Sequence, residues 1–506
     1  MTRPPRSAGP ATPCGRIWAI AALVLAMITI GAGWPLVARV TADLQFDYNE
    51  GWNAYRDQMA AQLAPLYGAP PAQDITNYPP LSFHLVGFLS HLTGNITSTG
   101  RILSLVSLAM VCVAIRSITS EFITSDYAGT TAALLFALWL EVWMPNRIGV
   151  NDPQFLGMAY EMAGFYCFIR YPGSGRGVET SAILFALAVF TKHNLIALPL
   201  GAGASLLAGR EWRLLARWLT AGLLSAALLL LATDIIDGPF FLAHLLRARV
   251  YRISDSLRET IPYLLIFLPL FGIAAVWVRR NCAGTRRRVL ALSWLAAHLT
   301  ALVFSGGDGT ARNIFFEAIV LDAIIVVIAF GDYFARRGDR SAGTAALLLA
   351  LPMLFPLCLL PSRVSASMRE WRALPQLQDE FERGAGLLKD AASPVLCENL
   401  LMCYRAGKPS AFDPFFVLDQ IKMGRIDACE IVDLVENQRL GAIEIGDMDA
   451  PEPPGRVRFT GQFMQALSGR YKVVLRTPEF TIRMPADGPR QAAATGAPCV
   501  KAPAGG

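Results

Sequence analysis

The stretch FDYNEGWNAY, Phe46 to Tyr55, sets two carboxylates, Asp47 and Glu50, three positions apart. A carboxylate held near an acceptor hydroxyl in a partly dry cleft can act as a general base, and hard carboxylate oxygens can bridge a divalent cation (Mg, Mn or Zn) to phosphate. Asp47 and Glu50 are therefore candidates for catalysis and for a metal site; the plainer reading is that they solvate and cap a helix starting near Gly51. A second acidic group lies in NRIGVNDP, which supplies Arg147, Asn151 and Asp152. Asp152 is a third candidate catalytic group, although Asp before Pro153 is also an ordinary helix start.

Cationic and amide groups follow at intervals. Lys192, His193 and Asn194 interrupt an otherwise apolar stretch, where polar groups are expensive. A cation there can hold a phosphate; a lysine reaching out to the membrane surface is the alternative. The segment GGDGTARNIFFE offers Asp308, Arg312, Asn313 and Glu317 at a Gly-rich turn that opens another apolar run, a place where backbone amides favour anions but where simple turn chemistry is equally natural. His84 follows Tyr78, Pro79 and Pro80 and reads either as a binding residue or as packing. Glu161 and Asp322 fall inside apolar runs, with His298 as one possible partner of the latter.

The elements that must position these groups are membrane spans. Hydrophobic residues make up 54% of the 506 positions and charged residues 17%, with mean hydropathy +0.41, whereas a soluble domain has about 45–50% apolar and about 25% charged residues. Apolar runs near the roughly 20 residues that span a bilayer recur through the first 360 positions. Runs bounded by Arg, Pro, Gly and acidic residues predict an α-helical polytopic membrane protein with eleven transmembrane helices, near 17–38, 101–118, 127–144, 153–170, 178–191, 194–208, 217–235, 261–278, 288–304, 313–332 and 342–360. The first run is longer than the about 7–15 apolar residues of a secretory signal and lacks a clear cleavage site, so it reads as an anchor.

With Arg3, Arg6 and Arg16 cytoplasmic, alternation puts nearly every dense arginine cluster inside and leaves 39–100, 145–152, 236–260 and 305–312 outside. The net charge of +6 is thus a topology signal, and no nucleic-acid partner is expected. Loop 236–260 departs from the rule with Arg247, Arg249, Arg252 and Arg258, which points to an anionic ligand. Segments 51–63 and 79–92 read as helices lying at the interface. After Pro361 the character changes: β-like runs at 394–397, 441–445 and 472–475 alternate with helical patterns at 415–423 and 428–436. This predicts a transmembrane region 1–361, a small extracytoplasmic α/β domain over 362–485, and a disordered tail over 486–506. Of the nine cysteines, Cys397 and Cys403 are the pair best suited to a disulfide in an oxidising compartment, free thiols being the alternative.

In order and placement, FDYNEGWNAY, NYPPLSFHLVG, GRILSLVSL, RIGVNDPQFLGM, TKHNLIALP, GDGTARNIFFE and the tail segment PVLCENLLMCYRAGKPSAFDPF resemble the membrane glycosyltransferases of the GT-C superfamily. The likeness is to the bacterial branch related to protein O-mannosyltransferases (glycosyltransferase family 39), aminoarabinose transferases and rhizobial lipopolysaccharide glycosyltransferases. The resemblance implies transfer of a sugar from a polyprenyl-phosphate donor to a cell-envelope acceptor at the outer face of a bacterial inner membrane. It implies Asp47 or Glu50 as base or metal contact, Asp152 as the second-loop acid, and Lys192 with His193 on the lipid-linked phosphate. Arg147, Tyr78, His84, Arg312, Asn313 and Glu317 complete the expected substrate-binding set. Relatives often carry Asp where this chain has Asn49. A transporter or flippase for a lipid-linked sugar, and a noncatalytic relative, are the competing readings; carriers usually bind at the midplane between repeated halves, whereas here the polar residues gather at loop ends.

Overall fold

The computed structural model describes residues 13–69, 75–337, 342–446 and 458–486. The expected tail 486–506 therefore lies, beyond its first residue, outside the described residues. Each of the eleven expected spans falls on helix, and one falls on a broken pair, Ile253–Ile266 and Leu268–Arg280, bent by 86°. Among the described residues six helices are long and apolar enough to cross a membrane, or seven if the bent pair is one span. Asp126–Trp143, Gln154–Arg170, Gly175–Thr191 and Ala197–Ala208 are shorter. Of the long helices, Arg312–Arg337 has 89% of its apolar window buried and Trp212–Asp237 only 6%. The first is thus a central post of the bundle and the second a rim helix, whose exposed Leu223, Leu228, Leu231 and Ile235 need an apolar solvent.

The connectors sort to two ends. At one, Glu121 meets both Arg170 (3.2 Å) and Arg286 (3.4 Å), which ties three of the arginine-rich connectors together. At the other, segments 39–69 and 75–95, loop 144–153, residues 192–196 and the 305–315 turn gather under the C-terminal unit. There the expected interfacial helices form as Tyr48–Ala61 and Leu81–Thr93, packed on one another. The last long helix, Ala342–Asp390, runs without a break through position 361 despite Pro352, Pro356, Pro361 and Pro375.

Beyond it stands a four-stranded sheet of β1 (Val395–Cys397), β2 (Ala442–Gly446), β3 (Tyr471–Arg476) and β4 (Phe480–Pro485), in the order β1-β2-β4-β3. The β1–β2 pair is parallel and the others antiparallel. The parallel pair requires a crossover, supplied by Leu400–Arg405, Pro414–Lys422 and Ala428–Glu436. Leu396, Val432, Val435, Ile443, Phe463 and Leu467 form its core. β4 escaped the sequence reading because it is central, bonded on both sides, and carries a buried run rather than clean alternation. Cys397 and Cys403 form a disulfide with Cα atoms 5.9 Å apart.

The C-terminal unit is bolted to the membrane end. Tyr48 donates to Asp413 (2.8 Å), Lys422 pairs with Asp308 (2.7 Å), and Arg405 pairs with Asp43 (2.9 Å). Gly51 lies so close to the Leu401 backbone that any Cβ would overlap it, and Gly309, at φ +76°, lies equally close under the Phe415 ring.

Candidate functional site

Asp47 is the N-cap of Tyr48–Ala61, accepting from Asn49 N at 3.1 Å, so the capping reading of this motif holds. Its carboxylate also accepts from Arg147 Nη1 at 2.9 Å, across a separation of 100 residues. Burial pushes the Asp47 carboxyl above the ordinary aspartate range; Arg147 pulls it back, and Asp152 pushes it further up. An aspartate so placed keeps an unusually high proton affinity.

Asp152 is the centre of the cluster. It accepts from Lys192 Nζ (2.8 Å), from Gln154 N (2.8 Å) and from Asn49 Nδ2 (3.0 Å), with Arg147 Nη1 at 3.7 Å. Burial alone would raise its carboxyl, but Lys192 and then Arg147 overcome that and hold it down at about 2. Asp152 is a fixed anion and a weak base. Lys192 is 4% exposed and keeps its charge: burial works against it, and Asp152 and Tyr78 together outweigh burial. Its ammonium also stands 4.9 Å from the centre of the Tyr78 ring, and the Tyr78 hydroxyl is 3.4 Å from Asn49 Nδ2.

Thus Asp47, Asn49, Tyr78, Arg147, Asp152 and Lys192, drawn from three connectors, meet at one end of the bundle. Among the described residues, Arg147 Nε and His193 Nδ1 are buried there without a hydrogen-bond partner, and buried orphan donors or acceptors call for an explanation such as a ligand. Burial, then Arg249 and Lys192, lower His193 to about 4, so it is neutral near pH 7. The Asn313 amide stands 3.1 Å from Gln154 Oε1 and 3.3 Å from Lys192 Nζ.

Glu50 is not part of this group. Both its oxygens are consumed: Oε1 accepts from Arg101 Nε (2.7 Å) and Asn151 N (3.0 Å), Oε2 from Arg101 Nη2 (2.9 Å) and Phe46 N (2.8 Å). Glu50 and Arg101 are both 0% exposed. Three positions along a helix rotate a side chain by most of a turn, yet Asp47 is still outside the helix in extended backbone, so the two carboxylates diverge. Three other expected residues also lie elsewhere. His84 pairs with Asp237 (2.9 Å) at the end of Trp212–Asp237. Arg312 is half-exposed and pairs with Glu259 (3.0 Å), and Glu317 is buried beside Glu161, accepting from Ala197 N at 3.2 Å.

A divalent cation does not fit this donor set. Among the described residues no three His, Cys, Asp or Glu side chains come together in a way that could hold one. The Asp47 and Asp152 carboxylates already face Arg147 and Lys192, and Glu50 faces Arg101, so an expected Asp47–Glu50 metal pair has no common position for an ion.

The sequence reading missed Arg101, Asn53 and Asp57. Arg101 had a signal: a guanidinium at the head of an apolar span is affordable only with a buried partner. Asn53 and Asp57 had none beyond an amphipathic helix whose polar residues face inward.

No known protein-family profile matches the chain, and no curated protein matches its sequence. Its fold does match solved structures. ArnT from Cupriavidus metallidurans in the apo state has TM-score 0.58 and 14% identity, covering 92% of this chain and 97% of that one. The same protein bound to undecaprenyl phosphate has TM-score 0.55 and 14% identity, covering 94% and 98%. The Archaeoglobus fulgidus oligosaccharyltransferase in complex with Zn and sulfate has TM-score 0.55 and 12% identity, covering 90% and 71%. ArnT, an aminoarabinose transferase, and the oligosaccharyltransferase are GT-C superfamily members. This chain has the fold they share.

Proposed function

We propose that this protein is an integral membrane glycosyltransferase that moves a sugar from a polyprenyl-phosphate donor to a cell-envelope acceptor at the noncytoplasmic face. The observation that carries the reading is the meeting of Asp47, Arg147, Asp152 and Lys192 at the membrane-surface end of a bundle with the GT-C fold. A polyprenyl phosphate is amphiphilic: its phosphate must sit at the membrane surface while its tail stays in lipid, and the catalytic groups must wait at that depth. That one structural neighbour holds undecaprenyl phosphate supports the same donor class.

In this reading Asp47 takes the proton from the acceptor hydroxyl as its oxygen bonds to the anomeric carbon. The bond from that carbon to the phosphate oxygen breaks, and its electron pair leaves with the phosphate. Lys192, the orphan Nε of Arg147 and neutral His193 receive the developing negative charge. Asp152 orients Lys192 and Arg147 and does not exchange protons. Asn313 and Tyr78 help hold Lys192, and Glu50 supports the loop from below. All eleven spans cross the bilayer in this reading, arginine-rich connectors face the cytoplasm, and the sheet-bearing unit lies in the periplasm of a bacterial inner membrane.

The test is incubation of the purified protein in lipid with a panel of polyprenyl-phosphate sugars and envelope acceptors, comparing wild type with Asp47→Asn, Asp152→Asn and Lys192→Gln. Transfer by wild type, with losses of about 100-fold or more for Asp47→Asn, as general-base removal predicts, supports the reading. Full transfer by all three variants sinks the site, and sugar movement across vesicles without transfer favours a carrier.

A further inference from the structure

On the helix Tyr48–Ala61, Glu50, Asn53 and Asp57 fall at i, i+3 and i+7, one face of the helix. All three are buried, at 0%, 1% and 1% exposure. Each grips a different polar group of the same residue. Glu50 Oε1 accepts from Asn151 N (3.0 Å), Asn53 Nδ2 donates to Asn151 O (2.5 Å), and Asp57 Oδ2 accepts from Asn151 Nδ2 (2.7 Å). On the remaining side Gly100 lies so close that a Cβ would overlap the Asn151 side chain.

Asn151 is the residue before Asp152 and four after Arg147. The segment between them is short, turns through Gly149 at φ +64°, and makes few backbone hydrogen bonds of its own. Arg39 Nη2 ties the Arg147 end through Pro145 O (2.8 Å) and Ile148 O (2.9 Å), while the Asp152 end is gripped at Asn151; Arg147 Nη1 lies 2.9 Å from Asp47 and Asp152 Oδ1 2.8 Å from Lys192. We propose that Glu50, Asn53, Asp57 and Asn151 form a positioning clamp that sets Arg147 and Asp152 against Asp47 for sugar transfer. The catalytic half of this statement rests on the function proposed above; the structural half does not. None of the four needs to touch substrate. They carry the geometry of the first outer loop into the second, and a misplacement of about 1 Å at such a site can cost on the order of 100-fold in rate.

The clamp is tested with Asn151→Ala, Asp57→Ala and the conservative Asp57→Asn, in the full chain in lipid nanodiscs. Hydrogen–deuterium exchange should quicken over 145–154 in both alanine variants and stay unchanged in the core of Arg312–Arg337, which reports that the bundle is folded. The transfer rate at saturating donor should fall about 100-fold. Its acid limb should also move to higher pH, because Asp47 loses Arg147, the cation that pulls its raised carboxyl down. Asp57→Asn should restore most of the rate and the exchange pattern, since an amide oxygen accepts the same bond from Asn151. Unchanged exchange over 145–154 in both alanine variants overturns the clamp. So does a loss of rate with an unshifted acid limb, which a merely structural role would produce. If wild type transfers no sugar, quickened exchange still supports the clamp as structure while the transfer result refutes the proposed function.

Discussion

The two carboxylates of FDYNEGWNAY receive opposite roles here, and Glu50→Gln separates them. The substitution keeps one oxygen for Arg101 Nε and Asn151 N but turns the other into an NH₂ facing Phe46 N and Arg101 Nη2, both within 2.9 Å of it now. A neutral hydrogen bond contributes about 1 kcal/mol and a charged one about 1.5–3 kcal/mol. In addition Arg101, fully buried, is left without its carboxylate partner, and breaking a buried pair from one side costs about 3–5 kcal/mol. These overlap, and about 3–5 kcal/mol is the expected destabilisation. Thermal unfolding in nanodiscs should show the midpoint lowered by at least roughly 5 °C, given about 2–4 °C per kcal/mol for large domains. Adding Arg101→Met should cost less in the Glu50→Gln background than in wild type, the signature of a coupled pair. The folded fraction should keep transferring sugar with an acid limb set by Asp47. A variant of wild-type stability that has lost transfer entirely would refute this assignment and make Glu50 the base.

Burial raises Asp47, so a base that must be unprotonated loses activity as pH falls through a value above the ordinary aspartate range; a rate profile whose acid limb lies at or below that range would contradict this. Asp152, held at about 2, should contribute no limb of its own, and Asp152→Asn should weaken donor binding more than it alters the pH profile, as measured by KM against kcat. Because fixed cations occupy the carboxylates, dialysis against EDTA should leave the transfer rate within about twofold, the scatter of such comparisons, of the untreated enzyme; loss restored by Mg or Mn would contradict the donor-set argument.

The membrane class was legible because lipid-spanning helices demand long uncharged runs, and arginine clusters mark alternate connectors without reference to packing. Several helix starts were legible to a few residues, since Asp47, Asn95 and Ser174 cap where capping residues belong, whereas the last long helix runs on to Asp390, far past the expected end at 360. What could not be read were pairings across long stretches of chain. Asp237 as the partner of His84 lies 153 residues away, and Arg101 as the partner of Glu50 lies 51 away. Two carboxylates three apart look equivalent in sequence; only the change from extended backbone at Asp47 to helix at Glu50 sends one to the cluster and the other inward. Asn53 and Asp57 are invisible for the same reason, being polar residues whose partner Asn151 is distant. The central strand β4 was hidden by the opposite fault, a local pattern erased by burial of consecutive residues on both faces.

Whether this cluster receives a lipid-borne phosphate can be measured without knowing the sugar or the acceptor. Titration of undecaprenyl phosphate into the nanodisc-embedded protein, read by native mass spectrometry, should show saturable binding to wild type. Lys192→Gln should weaken it at least about tenfold, the loss of one charge-assisted hydrogen bond of about 1.5–3 kcal/mol, and Lys192→Arg should retain more of it. Equal binding by wild type and Lys192→Gln, or no saturable binding by either, would contradict the claim.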